Sequence, residues 1–465
     1  MNGFSILSSR QRKEVESRAG TGSWLQPVWF SLVYPAEACS MFSVRCFFLL
    51  SAFVVSSAAV IQAQPLTIRT FAGSTTPGAT NGPGPTARFN HPVGLTTDLS
   101  GNIYIADTEN STIRKITPDG SVSTIAGSPG IIGTNDNFGA SARFYGPQGV
   151  AANNAGQLFV ADSANSTIRK ISSGTVSTFA GLAGVSNSFD GVGSNAQFYH
   201  PEGVATDVGG NVYVADTWNH TIRKITPAGS VTTLAGLAGN FGAADGTNSK
   251  ARFNRPTGIA VDSATNLFIA DSLNHTIRKI TPNGTVSTIV GLAGVWGGSD
   301  GTNNAARFYL PEGISIATNG DLFVTDSGNQ MLRKVSFIGT NWVVTTVAGL
   351  SGLAGSANGT GTNAQFNFPA AIGFDNAGYM YLADTGNNTI RSTRITSPLL
   401  QFVAIGNQFV LYWPTWADGF VLEQSPTLGP TANWSPITND IFTAAENFVS
   451  TNGVAESAYF RLHLQ

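Results

Sequence analysis

Cysteine is nearly missing from this chain: its 465 residues contain two, Cys39 and Cys46. Both precede residue 64, so the long segment beyond it has no thiol. That excludes a disulfide framework, a cysteine nucleophile and a thiolate metal site there. Charge is scarce as well. Charged residues make up 11% of the chain and balance to a formal −2, which leaves no basic field for nucleic acid or an acidic membrane surface. Neither a Gly-x-Ser-x-Gly elbow nor a His-Glu-x-x-His pair occurs, so a hydrolase reading has no motif behind it. Glycine, by contrast, is abundant at 53 residues. With the accompanying Thr, Ser and Asn it points to many tight turns and an all-β chain. An apolar content of 42% argues against disorder.

One long apolar run exists, CFFLLSAFVVSSAAVI at 46–61. It is short of the roughly twenty residues that span a bilayer as a helix. Arg45 precedes it, and Ile61-Gln62-Ala63 follows with a small residue where signal peptidase cuts. Met41 stands five residues before the run. These features predict a signal peptide over 41–63, with 1–40 a disordered upstream extension; the alternative is an uncleaved N-terminal anchor. Cys46 follows Ser43-Val44-Arg45, which is not a lipoprotein cleavage box. The expected product is secreted, extracellular or periplasmic, and has no stable membrane span.

The strongest signal is an internal repeat. NIYIADTENSTIRKI at 102–116 returns as QLFVADSANSTIRKI at 157–171, NVYVADTWNHTIRKI at 211–225 and NLFIADSLNHTIRKI at 266–280. DLFVTDSGNQMLRKV at 321–335 and YMYLADTGNNTIRST at 379–393 complete the set. The landmark residues Asp107, Asp162, Asp216, Asp271, Asp326 and Asp384 stand 55, 54, 55, 55 and 58 apart. Each unit reads as four strands: one after Phe-x-x-Pro-x-Gly, the alternating NVYVAD, the TIRKI run, and GSVTTLAG before a Gly-rich spacer. Such units bury their faces only by stacking on neighbours, as in a propeller. The sixth unit lacks a fourth strand, and an orphan copy, LTIRTFAG at 66–73, stands before the first. The orphan should close the ring as the outer strand of the last blade.

These motifs resemble the NHL repeat family, whose pattern is Pro-x-Gly, an apolar strand, Gly-Asn-x-Tyr-Val-Ala-Asp-Ser-x-Asn and an Ile-Arg strand. The resemblance covers roughly 65 to 395. Its AG…DG…ARF spacer is similar to that of bacterial extracellular NHL proteins and of teneurin-like surface proteins. The family implies a six-bladed propeller, used most often as a binding platform. The expected fold class is therefore all-β: a six-bladed NHL-type β-propeller at 64–398, closed by an N-terminal strand. At 399–465 the repeat stops. There FVLYW (409–413), GFVLEQS (419–425), NWSPI (433–437) and AYFRLHL (458–464) read as strands. This tail resembles the fibronectin-like modules of secreted bacterial proteins and is expected to be a small β-sandwich, with Trp413, Trp416 and Trp434 filling its core.

Candidate chemistry must be separated from scaffold. Asp-x-x-Asn-x-x-Ile-Arg recurs in every unit, so Asp107 and Arg114 should pair across a hairpin, with Asn110 satisfying turn amides. Asp190-Gly191, Asp245-Gly246 and Asp300-Gly301 offer one carboxylate per loop, too few for calcium, and read as tight turns. The position after Pro, ahead of Gly in five of the six units, varies: Val93, Gln148, Glu202, Thr257, Glu312 and Ala370. These side chains should ring one mouth of the central channel. Glu202 and Glu312 could share acid and base roles or hold a divalent metal, with Gln148, His91 and His200 close by; the plainer reading is a polar rim. The family includes an amidating lyase with a histidine-bound channel metal in a Pro-His-x context, and none of the six positions here is histidine. Trp218 and Leu273, at matching turns of adjacent units, are expected to form an exposed apolar patch. The reading that results is a monomeric, non-catalytic binding or scaffold protein without cofactor, recognising a protein or glycan and no nucleic acid. The alternative is a metal-assisted lyase or lactonase at the channel mouth.

Overall fold

The structure is a computed structural model that describes residues 65–394 and, in the tail, the strands from 401 to 464. The proposed leader at 41–63 and the extension at 1–40 lie outside the described residues. Among those described there is no α-helix, and no helix is long and apolar enough to cross a membrane. The described residues fall into two units, the propeller and the tail.

Six antiparallel sheets form the propeller. Blade four is representative. From the channel outward run Pro256–Val261, Leu267–Asp271, Thr276–Ile280 and Thr285–Gly291, as the alternating sequence predicts. Beyond them lies a fifth strand of two residues, Gly246–Thr247. Every blade has this extra edge strand, drawn from the spacer, so the four-strand reading is corrected to five. A Gly-rich pair shows no period-two alternation, which is why the pattern hid it. The ring closes as expected: Thr67–Gly73 pairs with Thr389–Arg394 of blade six and is itself edged by Gly359–Thr360. Apolar side chains interleave across blade seams, for example Tyr213 and Ile222 of blade three with Ile259, Leu267 and Ile269 of blade four. At the closure, Tyr381 and Ile390 pack with Leu95, Ile103 and Ile105 of blade one. Each such buried side chain contributes about 1.5–3 kcal/mol.

Inside each blade a fully buried arginine organises the polar interior. In blade three Arg223 Nη1 donates to Asp216 Oδ2 at 2.7 Å and to the Gln197 carbonyl, while Nη2 donates to the Phe189 carbonyl and to Asp190 Oδ1. Its guanidinium lies 5.1 Å over the buried Phe198 ring. Asp216 also accepts from Asn219 Nδ2 and from the Tyr199 N–H, both at 2.8 Å. Burial raises this aspartate to about 6 against the opposing pull of Arg223. Asn219 therefore serves Asp216 and the Asn187 carbonyl rather than turn amides. The spacer aspartates are corrected too: Asp190, Asp245 and Asp300 clamp the buried arginines Arg223, Arg278 and Arg333. Asp190 also accepts from the Thr233 N–H and hydroxyl, tying the spacer to the fourth strand.

In the tail, Gln401–Ile405, Gln408–Pro414, Glu446–Asn452 and Phe442–Thr443 form one antiparallel sheet, and Ser435–Pro436, Phe420–Ser425 and Tyr459–Leu464 another. All four expected segments carry strands. The sandwich packing expected of them, with Trp416 and Trp434, lies outside the described residues.

Candidate functional site

Each innermost strand enters the channel through the same three-residue turn. The residue before the proline has left-handed backbone in every blade: His91, Gly146, His200, Arg255, Leu310 and Phe368, with φ from 44° to 56°. A non-glycine residue reaches that region at a cost of about 1–2 kcal/mol. The preceding blade helps to hold it. Asn388 Oδ1 accepts the His91 N–H at 2.8 Å, His220 Nδ1 that of Arg255 at 3.0 Å, His275 Nδ1 that of Leu310 at 3.3 Å, and Gln330 Oε1 that of Phe368. A second latch runs round the whole ring. The hydroxyl after each landmark aspartate donates to the next blade's proline carbonyl, as Thr217 does to Pro256 at 2.7 Å and, across the closure, Thr385 to Pro92 at 2.7 Å. In five blades glycine follows the channel residue for steric reasons, and in blade six Ala371 stands there instead. A Cβ at Gly203 would lie 2.0 Å from the Thr257 carbonyl oxygen, and one at Gly149 2.0 Å from that of Glu202.

These turns bring Val93, Gln148, Glu202, Thr257, Glu312 and Ala370 to one cavity of about 330 Å³, whose wall His91 also lines. Of the six turn residues, the polar ones fall on four consecutive blades, two to five, beside apolar Val150, Val204, Ile259 and Ile314; His91 and Thr385 add polar groups on blades one and six. Val93, Leu95, Phe368, Ala370 and Ile372, on blades six and one, make the opposite wall mostly apolar. Thr257 is committed to the scaffold, donating to the Glu312 carbonyl and bonding to Ser272. Gln148 and Glu202 have no side-chain hydrogen-bond partner among the described residues. Both glutamates keep some water-reachable surface inside the channel while protein surrounds them. Burial, with the nearby Glu312 charge, pushes Glu202 up to about 8, and Arg255 opposes the shift. Burial lifts Glu312 to about 7 against a Ser327 hydroxyl. Near neutral pH the pair therefore retains protons that exposed glutamates would have lost.

A metal fits this donor set poorly. Two carboxyls and one amide fall short of the six to eight oxygens that calcium takes, and among the described residues no group of three or more His, Cys, Asp or Glu is placed to hold an ion.

Around the mouth the aromatic residues concentrate on blades three to five. Trp218 packs at 5.3 Å from Tyr199 and 5.1 Å from His200, and the Arg255 guanidinium lies 4.2 Å over its ring. His220 meets Phe241 at 5.8 Å, and Tyr309 stands between His275 at 5.7 Å and Trp296 at 5.2 Å. Burial and the Arg255 charge hold His200 and His220 below the usual imidazole value. Of the residues singled out from sequence, Gln148, Glu202, Glu312 and His91 line the cavity, and His200 joins Trp218 at the rim. Trp218 and Leu273 are both exposed at matching turns of blades three and four, and one side of the Trp218 ring also packs against Tyr199, His200 and Arg255. Arg255 and Tyr199 escaped the sequence reading. The available signal was position: Arg255 stands before Pro256 as His200 stands before Pro201.

The architecture defines a six-bladed β-propeller whose ligand-sized cavity opens at one channel mouth. The NHL repeat family matches residues 89–116, 144–171, 198–225 and 253–280, and the chain belongs to the NHL-repeat propellers. NHL repeat-containing protein 2 from Homo sapiens is 29% identical over 300 residues, covering 56% of this chain and 41% of its own. Teneurin-3 from Mus musculus is 24% identical over 352 residues, covering 66% of this chain and 12% of its own. The chain thus spans less than half the length of these relatives. Among solved structures, an auxiliary nutrient binding protein from Bacteroides thetaiotaomicron aligns with a TM-score of 0.53 and 16% identity over 71% of this chain and 76% of that one, a likeness of fold.

Proposed function

We propose that this chain is a secreted, non-catalytic binding protein that seats part of a protein or glycan at the channel mouth. One observation carries the reading. The buried Asp carboxylates of the blade interior are paired with Arg and Asn in all six blades, whereas Gln148 and Glu202 face a cavity of about 330 Å³ without side-chain hydrogen-bond partners among the described residues. Partnerless polar groups converging in a concave site mark where a ligand completes the bonding. The leader-like run at 46–61 supports export, and the near-neutral charge supports partners other than nucleic acid. The nutrient-binding protein noted above lends the reading its fold only.

The test is a binding screen of the purified chain against glycans and extracellular proteins, repeated with Gln148→Leu and Glu202→Leu. Ligands that bind wild type and lose affinity in both variants support the reading; ligands indifferent to both refute it. The glutamate pair, protonating near neutral pH, favours a second reading, a lyase or lactonase activity in which the two carboxyls themselves share acid and base roles. It requires turnover of a substrate that is lost in Glu202→Gln while the fold is unchanged.

A further inference from the structure

The blade-interior arginines and those of the spacers hold acceptors on their terminal nitrogens, although each interior Nε is unpaired among the described residues. Arg223, in the blade interior, has four. Arg252, on the spacer, caps two carbonyls, as do Arg88, Arg143 and Arg307. Arg255 differs. Its backbone N–H is pinned by His220, yet its guanidinium has no hydrogen-bond acceptor or ion-pair partner among the described residues. It lies 4.2 Å over the Trp218 ring, and Tyr199 and His200 pack against that ring at a tilt. Stacking uses the face of a guanidinium and leaves its N–H edge free for a planar two-oxygen partner. The support is particular to this seam, because the other blades place Glu109, Ala164, Leu273, Gly328 or Gly386 where Trp218 stands.

The nearest acid does not cancel the charge. Glu202 feels Arg255 but forms no ion pair with it, and burial keeps its carboxyl protonated to about pH 8. The cavity, which Arg255 adjoins through Glu202 without lining it, is small, with Gln148, Glu202 and Glu312 set among apolar residues and Val93, Leu95, Ala370 and Ile372 facing them from blades one and six. A cavity of about 330 Å³ takes one ring. A sugar ring matches these walls, presenting hydroxyls at its edge and C–H groups on its face.

We propose that Arg255 receives a ring carboxylate and that the ligand is an acidic sugar, a hexuronate unit of a glycan, seated at the channel mouth. The inference rests on the mouth being a ligand seat and adds the chemistry of what fills it. A peptide carboxy-terminus offers the same carboxylate but lacks the hydroxyls that the Gln148, Glu202 and Glu312 wall would bind.

Calorimetric titration of the full chain tests it with four probes: glucuronate, its methyl ester, glucose, and N-acetylglycine as a carboxylate without hydroxyls. Glucuronate should bind at least about tenfold more tightly than the other three, the margin of a charge-assisted bidentate pair. Arg255→Met should erase its margin over the ester and glucose. Arg255→Lys should recover only part of it, and matching melting temperatures confirm that both variants fold. Equal binding of glucuronate, ester and glucose, or a margin that survives Arg255→Met, would overturn the role of Arg255 while leaving the mouth a sugar seat. N-acetylglycine binding as tightly as glucuronate would overturn the sugar class. Absence of binding to all four would overturn the inference, and the Gln148→Leu and Glu202→Leu screen would then judge the seat independently.

Discussion

In the blade interiors six copies of one network recur almost residue for residue, while at the channel mouth the six equivalent positions hold valine, glutamine, glutamate, threonine, glutamate and alanine. The interior pairs each buried Asp with Arg, Asn and a backbone N–H, as around Asp216. At the mouth, the polar side chains of Gln148 and Glu202 lack such partners. The same turn geometry builds both regions, so the difference lies in what each side chain must satisfy. A sixfold feature answers to folding. Polar turn residues on blades two to five, on a backbone that is sixfold, are what the proposed ligand seat would require.

That contrast can be broken most strongly from the interior. Asp216→Ala strands the fully buried Arg223 and should cost about 3–5 kcal/mol in denaturant unfolding. Asp190→Ala removes a partner that is half exposed and should cost visibly less. Equal losses would mean that burial does not set the hierarchy. Next in size is Gly203→Ala, whose Cβ would meet the Thr257 carbonyl oxygen at 2.0 Å. Overpacking of this kind costs about 1–3 kcal/mol; an unchanged midpoint would show the channel neck to be slack.

The mouth gives smaller, pH-dependent effects. The folded carboxyl of Glu202 sits at about 8 against an ordinary 4.5. Folding therefore favours its protonated form, and its contribution is full below pH 4.5 and lost as pH rises through about 8. Glu312, at about 7, acts in the same direction, while burial and the Arg255 charge hold His200 and His220 below the usual imidazole value, so they oppose it only toward acid. Glu202→Gln should flatten the fall in stability between pH 5 and 9 by roughly 1–2 kcal/mol, read from denaturant midpoints. An unaltered profile would place the carboxyl in ordinary solvent. Smallest is His220→Ser, which removes an acceptor from the Arg255 N–H. It should cost about 1 kcal/mol above pH 7 and less on acidification. Folding holds His220 neutral and below its usual 6.5, so its contribution is present above that value and is lost as pH falls. A cost that grew toward acid would contradict the latch.

Much of this contrast was legible in the sequence. Asp and Arg seven residues apart on either side of a hairpin turn announced the interior pair, and the orphan 66–73 announced the closure. A variable residue between an unvarying proline and a recurrent glycine marked the mouth. What stayed hidden depends on distance along the chain. Asp190 reads as a turn because Arg223, its partner, lies 33 residues on. Arg255 escaped notice because the indole it lies over, Trp218, belongs to the preceding blade. The fifth strands are too short to alternate.

The most direct test is to replace both partnerless polar groups at the mouth by leucine, Gln148→Leu with Glu202→Leu, and to measure stability and ligand binding on the same preparation. If the mouth is a ligand seat on a self-sufficient scaffold, stability should hold or rise while binding is lost, because polar groups kept for a ligand burden the unliganded fold. A fall of several kcal/mol with binding intact would contradict the account and return the mouth to the scaffold.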